Sequence, residues 1–361
     1  MTERGIVGNR FSHWMAFLWL AVGILGAPEL LAQRPGVDTY TITDLGTLGG
    51  ATSEASGVNN LGEVVGSSTI AAGTSHAFLY RNGRLLDLGT LPGGTASYGT
   101  AINNRGDVVG YGGINGYGPQ FQEFTQGFVW QDGSMRALGA LYCPCSFNRR
   151  YGTSKALAVS NGGQIAGDSE TGQGESFRHA LLWEGNSMRD LTPQLDRSQS
   201  SYAYGINDTN QIAGAAGGRA ILVRDGVSQD LGVLPGDTAS SARAVNNQGQ
   251  VVGSSVNAAG LSHAFLWDLG TMRSLGALPG DVSSEARAIN IPGQVVGRSG
   301  VADLSASRAV LWRDGAVIDL TSLVPGSGWV LSNATGINDV RQIVGVGVRD
   351  GQVRAFLLSP R

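Results

Sequence analysis

Four acidic residues stand outside any repeating pattern in the chain: Glu123, Asp168, Glu170 and Glu175. Convergent carboxylates do general acid–base work, and on a polysaccharide such groups would serve a hydrolase or a lyase. His76, His179 and His263 instead recur at one repeat position. Equivalent positions of a repeat array lie apart in space, so these histidines read as scaffold rather than as a metal site. Asp44, Asp87, Asp190, Asp230 and Asp319 also recur, each where a strand should end, with carboxylates placed to accept turn N–H groups. Cys143-Pro144-Cys145 holds the two cysteines. Free thiols, a strained i,i+2 disulfide and a metal-dependent contact all stay open for them, but two cysteines alone make a poor zinc site. Pro235-Gly236-Asp237 and Pro279-Gly280-Asp281 offer one carboxylate per turn, which turn chemistry explains as well as calcium does. No nucleophile elbow, phosphate-binding glycine loop or paired metal-ligand motif is present. The expectation is no catalytic residue, no metal and no cofactor.

Recognition is better provided for than catalysis. The segments 111–126 and 141–154 interrupt the repeat and carry Tyr111, Tyr117, Phe121, Phe124, Tyr142, Phe147 and Tyr151, with Arg149 and Arg150 beside them. Aromatics with arginine are what a binding surface uses. The alternative is a lid in which these loops pack on each other without a ligand. Asp168–Arg178 and 192–202 are further interruptions, and all four are expected on one face.

Those loops hang on a repeat. The stretch Ala242–Asp281 contains four short apolar runs split by turn residues: Ala242–Val245, Gln250–Ser254, His263–Trp267 and Met272–Leu278. Each has strand length and composition. A glycine after two small apolar residues marks the second run at Gly66, Gly110, Gly167, Gly214, Gly253, Gly297 and Gly345. That gives about seven units at a period of roughly 40–57 residues, as in solenoids and propellers. Asn59-Asn60-Leu61-Gly62 and its copies fit a hairpin turn in which asparagine bonds its own backbone and glycine takes positive φ. The third run is apolar on both faces, as a blade between two neighbours requires.

The final unit stops at Arg361 after its third strand, and Tyr40–Leu48 supplies one spare fourth strand. A closed ring needs this complement. The expected fold is all-β, a seven-bladed β-propeller of four-stranded blades locked by the N-terminal strand. Residues 1–32 read as a secretory signal, with Arg4 and Arg10 before the apolar run Trp14–Leu25; an uncleaved anchor is the alternative. Residues 33–39 are a linker and 40–361 one domain. The formal net charge of −3 argues against nucleic acid as a partner. No second long apolar run follows, so no membrane span is expected in the mature chain.

His76-Ala77-Phe78, His263-Ala264-Phe265, Asp44–Gly50 (DLGTLGG) and Gly57-Val58-Asn59-Asn60 together resemble the bacterial extracellular HAF-repeat family over about residues 40–361. The resemblance implies an exported bacterial repeat protein; it brings no activity and no catalytic residues. The expectation is an exported, extracellular or periplasmic, monomeric binding scaffold. It would recognise a ligand, glycan or protein through Tyr111, Tyr117, Phe121, Phe124, Phe147, Arg149, Arg150 and Tyr151. The alternatives are a polysaccharide hydrolase or lyase on the same face, and a purely structural or assembly protein.

Overall fold

The computed structural model describes residues 39–114, 124–141, 152–171, 177–193 and 199–361. The expected signal, nearly all of the linker and the two cysteines lie outside these. Strand β1 (Tyr40–Asp44) comes first. The first blade follows: β2 (Gly49–Val58), β3 (Val64–Ile70), β4 (Ser75–Arg81) and β5 (Arg84–Asp87). The second is β6 (Ser97–Ile102), β7 (Val108–Ile114), β8 (Phe124–Gln131) and β9 (Ser134–Ala137). The third is β10 (Ser154–Val159), β11 (Ile165–Glu170), β12 (Arg178–Glu184) and β13 (Ser187–Asp190). The fourth is β14 (Ser201–Ile206), β15 (Ile212–Ala216), β16 (Arg219–Arg224) and β17 (Val227–Gly232). The fifth is β18 (Asp237–Val245), β19 (Val251–Asn257), β20 (Ser262–Asp268) and β21 (Thr271–Ser274). The sixth is β22 (Ser283–Ile289), β23 (Val295–Gly300), β24 (Ser307–Arg313) and β25 (Ala316–Asp319). The seventh is β26 (Trp329–Ile337), β27 (Ile343–Arg349) and β28 (Gln352–Pro360), completed by β1.

The protein is thus an all-β ring of seven four-stranded antiparallel blades, a seven-bladed β-propeller. The first strand of each blade touches the first strands on either side, β26 meeting β2, so these strands surround the axis. Closure is as the sequence implied: β1 pairs antiparallel with β28, Tyr40 opposite Pro360 and Asp44 opposite Phe356. Among the described residues no helix is long and apolar enough to cross a membrane.

The core lies between blades. Each of seven apolar clusters joins one neighbouring pair. Phe265 and Trp267 pack toward the fourth blade, and Ala264 and Leu266 toward the sixth, so both faces of β20 are dry. Burying one such phenylalanine contributes about 1.5–3 kcal/mol. The fourth strands are shorter than the sequence suggested. β21 stops at Ser274, and Leu278 is buried beyond it, its N–H bonded to Ser299 Oγ.

Every first strand carries a β-bulge at the same place, between Ala55 and Gly57 in the first blade and between Ala242 and Ala244 in the fifth. The repeated marker glycine exists for this bulge. A Cβ on Gly253 would lie 2.0 Å from the Ser241 carbonyl oxygen, and on Gly66, 2.0 Å from that of Glu54. A bulge adds an unpaired residue and re-aims its side chain; here it turns toward the axis.

Hydrogen bonds tie blade to blade at both ends of the first strands. At their starts, the hydroxyls of Ser53, Ser97, Ser154, Ser201, Ser240 and Ser284 each accept a third-strand N–H of the preceding blade. At their ends the Asn-Asn turn does more than turn. Asn59 Oδ1 accepts from Leu61 and Glu63 N–H, and Gly62 takes φ +78°, as expected. Asn59 Nδ2 also donates to the Asn103 carbonyl of the next blade. The link repeats from Asn103, Asn207, Asn246, Asn290 and Asn338, the last returning to Asn59. It is missing only at Ser160, whose hydroxyl bonds Gln164 instead. The residue after each asparagine builds a second belt: Asn60 N–H to Asn104 Oδ1, and so on round to Asp339 N–H on Asn60. That belt is broken where Ile291 offers no acceptor.

Candidate functional site

The recurrent charged residues are scaffold. His76 Nδ1 lies 3.0 Å from Asp87, His179 Nδ1 2.8 Å from Asp190 and His263 Nδ1 3.0 Å from Asp237. Arg219 and Arg308 occupy the histidine position in other blades and reach Asp230 and Asp319. Asp44, Asp87, Asp190, Asp230 and Asp319 each accept the N–H two residues on. The carboxylates of the two Pro-Gly-Asp turns are also engaged, Asp237 with His263 and Asp281 with Ser299 and Arg308.

Around the axis the repeat keeps its backbone and varies its side chains. The bulged position holds Ser56, Thr100, Leu157, Tyr204, Arg243, Arg287 and Thr335, one per blade, and these seven line an axial cavity of about 250 Å³. Two residues earlier, toward the mouth on the face of the second-to-third loops and the blade connections, stand Glu54, Tyr98, Lys155, Tyr202, Ser241, Glu285 and Asn333. Each is paired across the ladder with the residue after the marker glycine: Tyr98 with Tyr111, Lys155 with Asp168, Glu285 with Arg298. The opposite mouth, by contrast, is walled by the repeated asparagines around about 180 Å³.

Three groupings stand out on the variable wall. Tyr98 and Tyr111 stack with centroids 5.3 Å apart, and Lys155 Nζ sits 4.8 Å from the Tyr111 ring centre. Tyr202 and Tyr204 stack at 5.5 Å and 12°, with Arg243 Cζ 4.3 Å from the Tyr204 ring centre. Glu285 bridges Arg287 and Arg298, at 3.0 and 2.9 Å. Burial raises the Tyr111 and Tyr204 phenols above their ordinary value, so both remain neutral donors near pH 7. Burial lowers the Arg287 guanidinium, opposed by Glu285 and reinforced by Arg298 and Arg243. Two clefts open from the axis: one of about 340 Å³ beside Tyr98 and Tyr111, and one of about 560 Å³ between the fourth and fifth blades.

Tyr111 lies within β7 rather than in a loop, and Phe124 opens β8 opposite Ile114; the interruption between these strands is 115–123. Tyr117, Phe121, Phe147, Arg149, Arg150 and Tyr151 lie outside the described residues, as do Tyr142, Glu123 and Glu175. Asp168 and Glu170 belong to β11, and Arg178 to β12, not to a loop. Asp168 is buried; both carboxylates bind Arg178, Glu170 at 3.3 Å. Burial raises the Asp168 carboxyl above the ordinary range, with Arg178 and Lys155 opposing. Sequence reasoning passed over the axial residues because it looked for breaks in repeat length. The available signal was variation in residue type at a fixed repeat position.

The chain is similar in fold to solved propellers. A prolyl endopeptidase structure matches with TM-score 0.52 at 11% identity, over 86% of this chain and 47% of that one. An acylaminoacyl peptidase of Pyrococcus horikoshii matches with TM-score 0.48 at 12% identity, over 80% and 49%. The BP39L lectin of Burkholderia pseudomallei matches with TM-score 0.46 at 12% identity, over 86% and 97%. The chain spans about half the length of the two peptidases it matches. At such identities the likeness is one of fold alone. No family model matches the chain, and no curated protein does.

Proposed function

We propose that this is an exported binding propeller of the HAF-repeat kind, non-enzymatic, whose ligand seats at the variable mouth of the axial channel. The carrying observation is the contrast between the two mouths. One is built from repeated asparagines, whereas the axial wall leading to the other carries five residue types across seven blades on the same bulged backbone. Fixed backbone with varied side chains is how a rigid scaffold carries a specific site. Of the sequence-based candidates, Tyr111 and Phe124 stand on this face, in β7 and β8. The polysaccharide hydrolase or lyase reading is less well served, since Asp168 and Glu170 share one arginine.

The test is a glycan, small-ligand and envelope-protein screen on the full chain, beside Tyr204→Ala and a variant with 115–123 and 142–151 shortened. Binding weakened about tenfold or more by Tyr204→Ala, with unchanged melting, supports the axial seat. Binding indifferent to Tyr204→Ala and lost on shortening 115–123 and 142–151 would assign the ligand to those segments and overturn the axial seat.

A further inference from the structure

The blade 4–5 side of the channel is equipped for one kind of ligand. The 560 Å³ cleft there has the size of a small-molecule site and opens into the axial cavity past Tyr204 and Arg243. The fifth and sixth blades bring two arginines to that axial cavity, Arg243, which also lines the cleft, and Arg287. No carboxylate among the described residues pairs with Arg243, which rests on the Tyr204 ring. Arg287 gives Nη2 to Glu285, but its Nε is buried with no hydrogen-bond partner. Ser241, two residues before Arg243 on β18, lines the cleft, and its Oγ is buried and unpartnered. Arg243, Arg287 and Arg298 thus stand near one carboxylate, Glu285, which leaves guanidinium donors on the axial cavity for a further acceptor. The acceptor that answers two guanidinium groups is a planar oxyanion. Beside it, the stacked Tyr202 and Tyr204 offer aromatic surface and phenol hydroxyls, and Gln199 an amide. Aromatic surface flanked by neutral donors suits a pyranose ring, whose C–H face is apolar and whose edge is all hydroxyl.

Resting on the axial-seat reading, we propose that the cleft between the fourth and fifth blades binds an acidic saccharide, its ring beside Tyr202 and Tyr204 and its uronic carboxylate reaching into the axial cavity between Arg243 and Arg287.

The test titrates the full chain by calorimetry with short uronic-acid oligosaccharides of several linkages, each beside its methyl ester and its neutral counterpart. At least one acid form should bind about tenfold or more tighter than its ester, the scale of a charge-assisted hydrogen bond. That preference should weaken with salt and vanish in Arg243→Met. The ester comparison needs no variant, so misfolding of a mutant cannot hide the answer. Equal binding of acid, ester and neutral forms would overturn the carboxylate role yet leave an axial saccharide site standing. No binding of any uronic acid, or a preference for sulfated sugars or acidic peptides, would overturn the proposal. If the general screen still finds a ligand lost in Tyr204→Ala, the axial seat survives that failure.

Discussion

Asn246 makes four hydrogen bonds from one buried side chain: Oδ1 accepts from Gln248 and Gln250 N–H, and Nδ2 donates to Gln250 Oε1 and the Asn290 carbonyl. The two halves can be separated. Asn246→Asp keeps the acceptor that shapes the turn but places a carboxylate against two oxygens. A residue serving the turn alone would tolerate the change. One in the inter-blade belt should lose roughly 2 kcal/mol, and Asn246→Ala roughly 3 kcal/mol. Denaturant unfolding of the two variants checks this, and wild-type stability in the aspartate form would remove the belt. The turn half was readable from Asn-Asn-x-Gly, because an asparagine bonding its own backbone is a local matter. The belt half was not, since it depends on where the next blade's carbonyl falls. The same limit hid Tyr204 and Arg243. Nothing local distinguishes an axis-facing residue from any other strand residue until the bulge is known.

The bulged first strand and the marker glycine opposite form one device. The glycine leaves room for the carbonyl that the bulge displaces, and the bulge in turn points a side chain down the axis. Gly253→Ala should therefore cost on the order of 3 kcal/mol or more, since backbone rather than a movable side chain lies 2.0 Å from the new Cβ. Ser254→Ala, next to it at a varied position, should stay within about 0.5 kcal/mol. Thermal melting of the pair decides; equal small effects would mean the bulge can relax. Strand existence, order and the two dry faces of β20 were all visible in the sequence, because periodicity survives in each copy. The bulge was not, since one extra residue inside an apolar run leaves that run looking the same. Tyr111 and Asp168 were misplaced for a related reason. The second run is recognisable in sequence only as far as its marker glycine, so the strand residues beyond it, Tyr111 and Asp168, pass for loop.

At the scale of the molecule, closure was foreseeable from the surplus strand at one end and the deficit at the other. Removing residues 39–44 leaves β28 with a bare edge and takes Tyr40 out of the last inter-blade layer. The variant should melt at least about 5 °C lower, or form dimers by exchanging the strand, which light scattering would show. An unchanged melting curve and mass would mean the belts alone hold the ring. The seven varied axial positions have a further consequence. Thr100 and Thr335 also give a hydroxyl to a carbonyl of the next blade, but the belts and apolar layers come from other residues, so substitutions at the other five positions should cost folding little. Descendants of one gene can thus exchange specificities by point mutation, or by recombining whole blades, while inheriting the same frame.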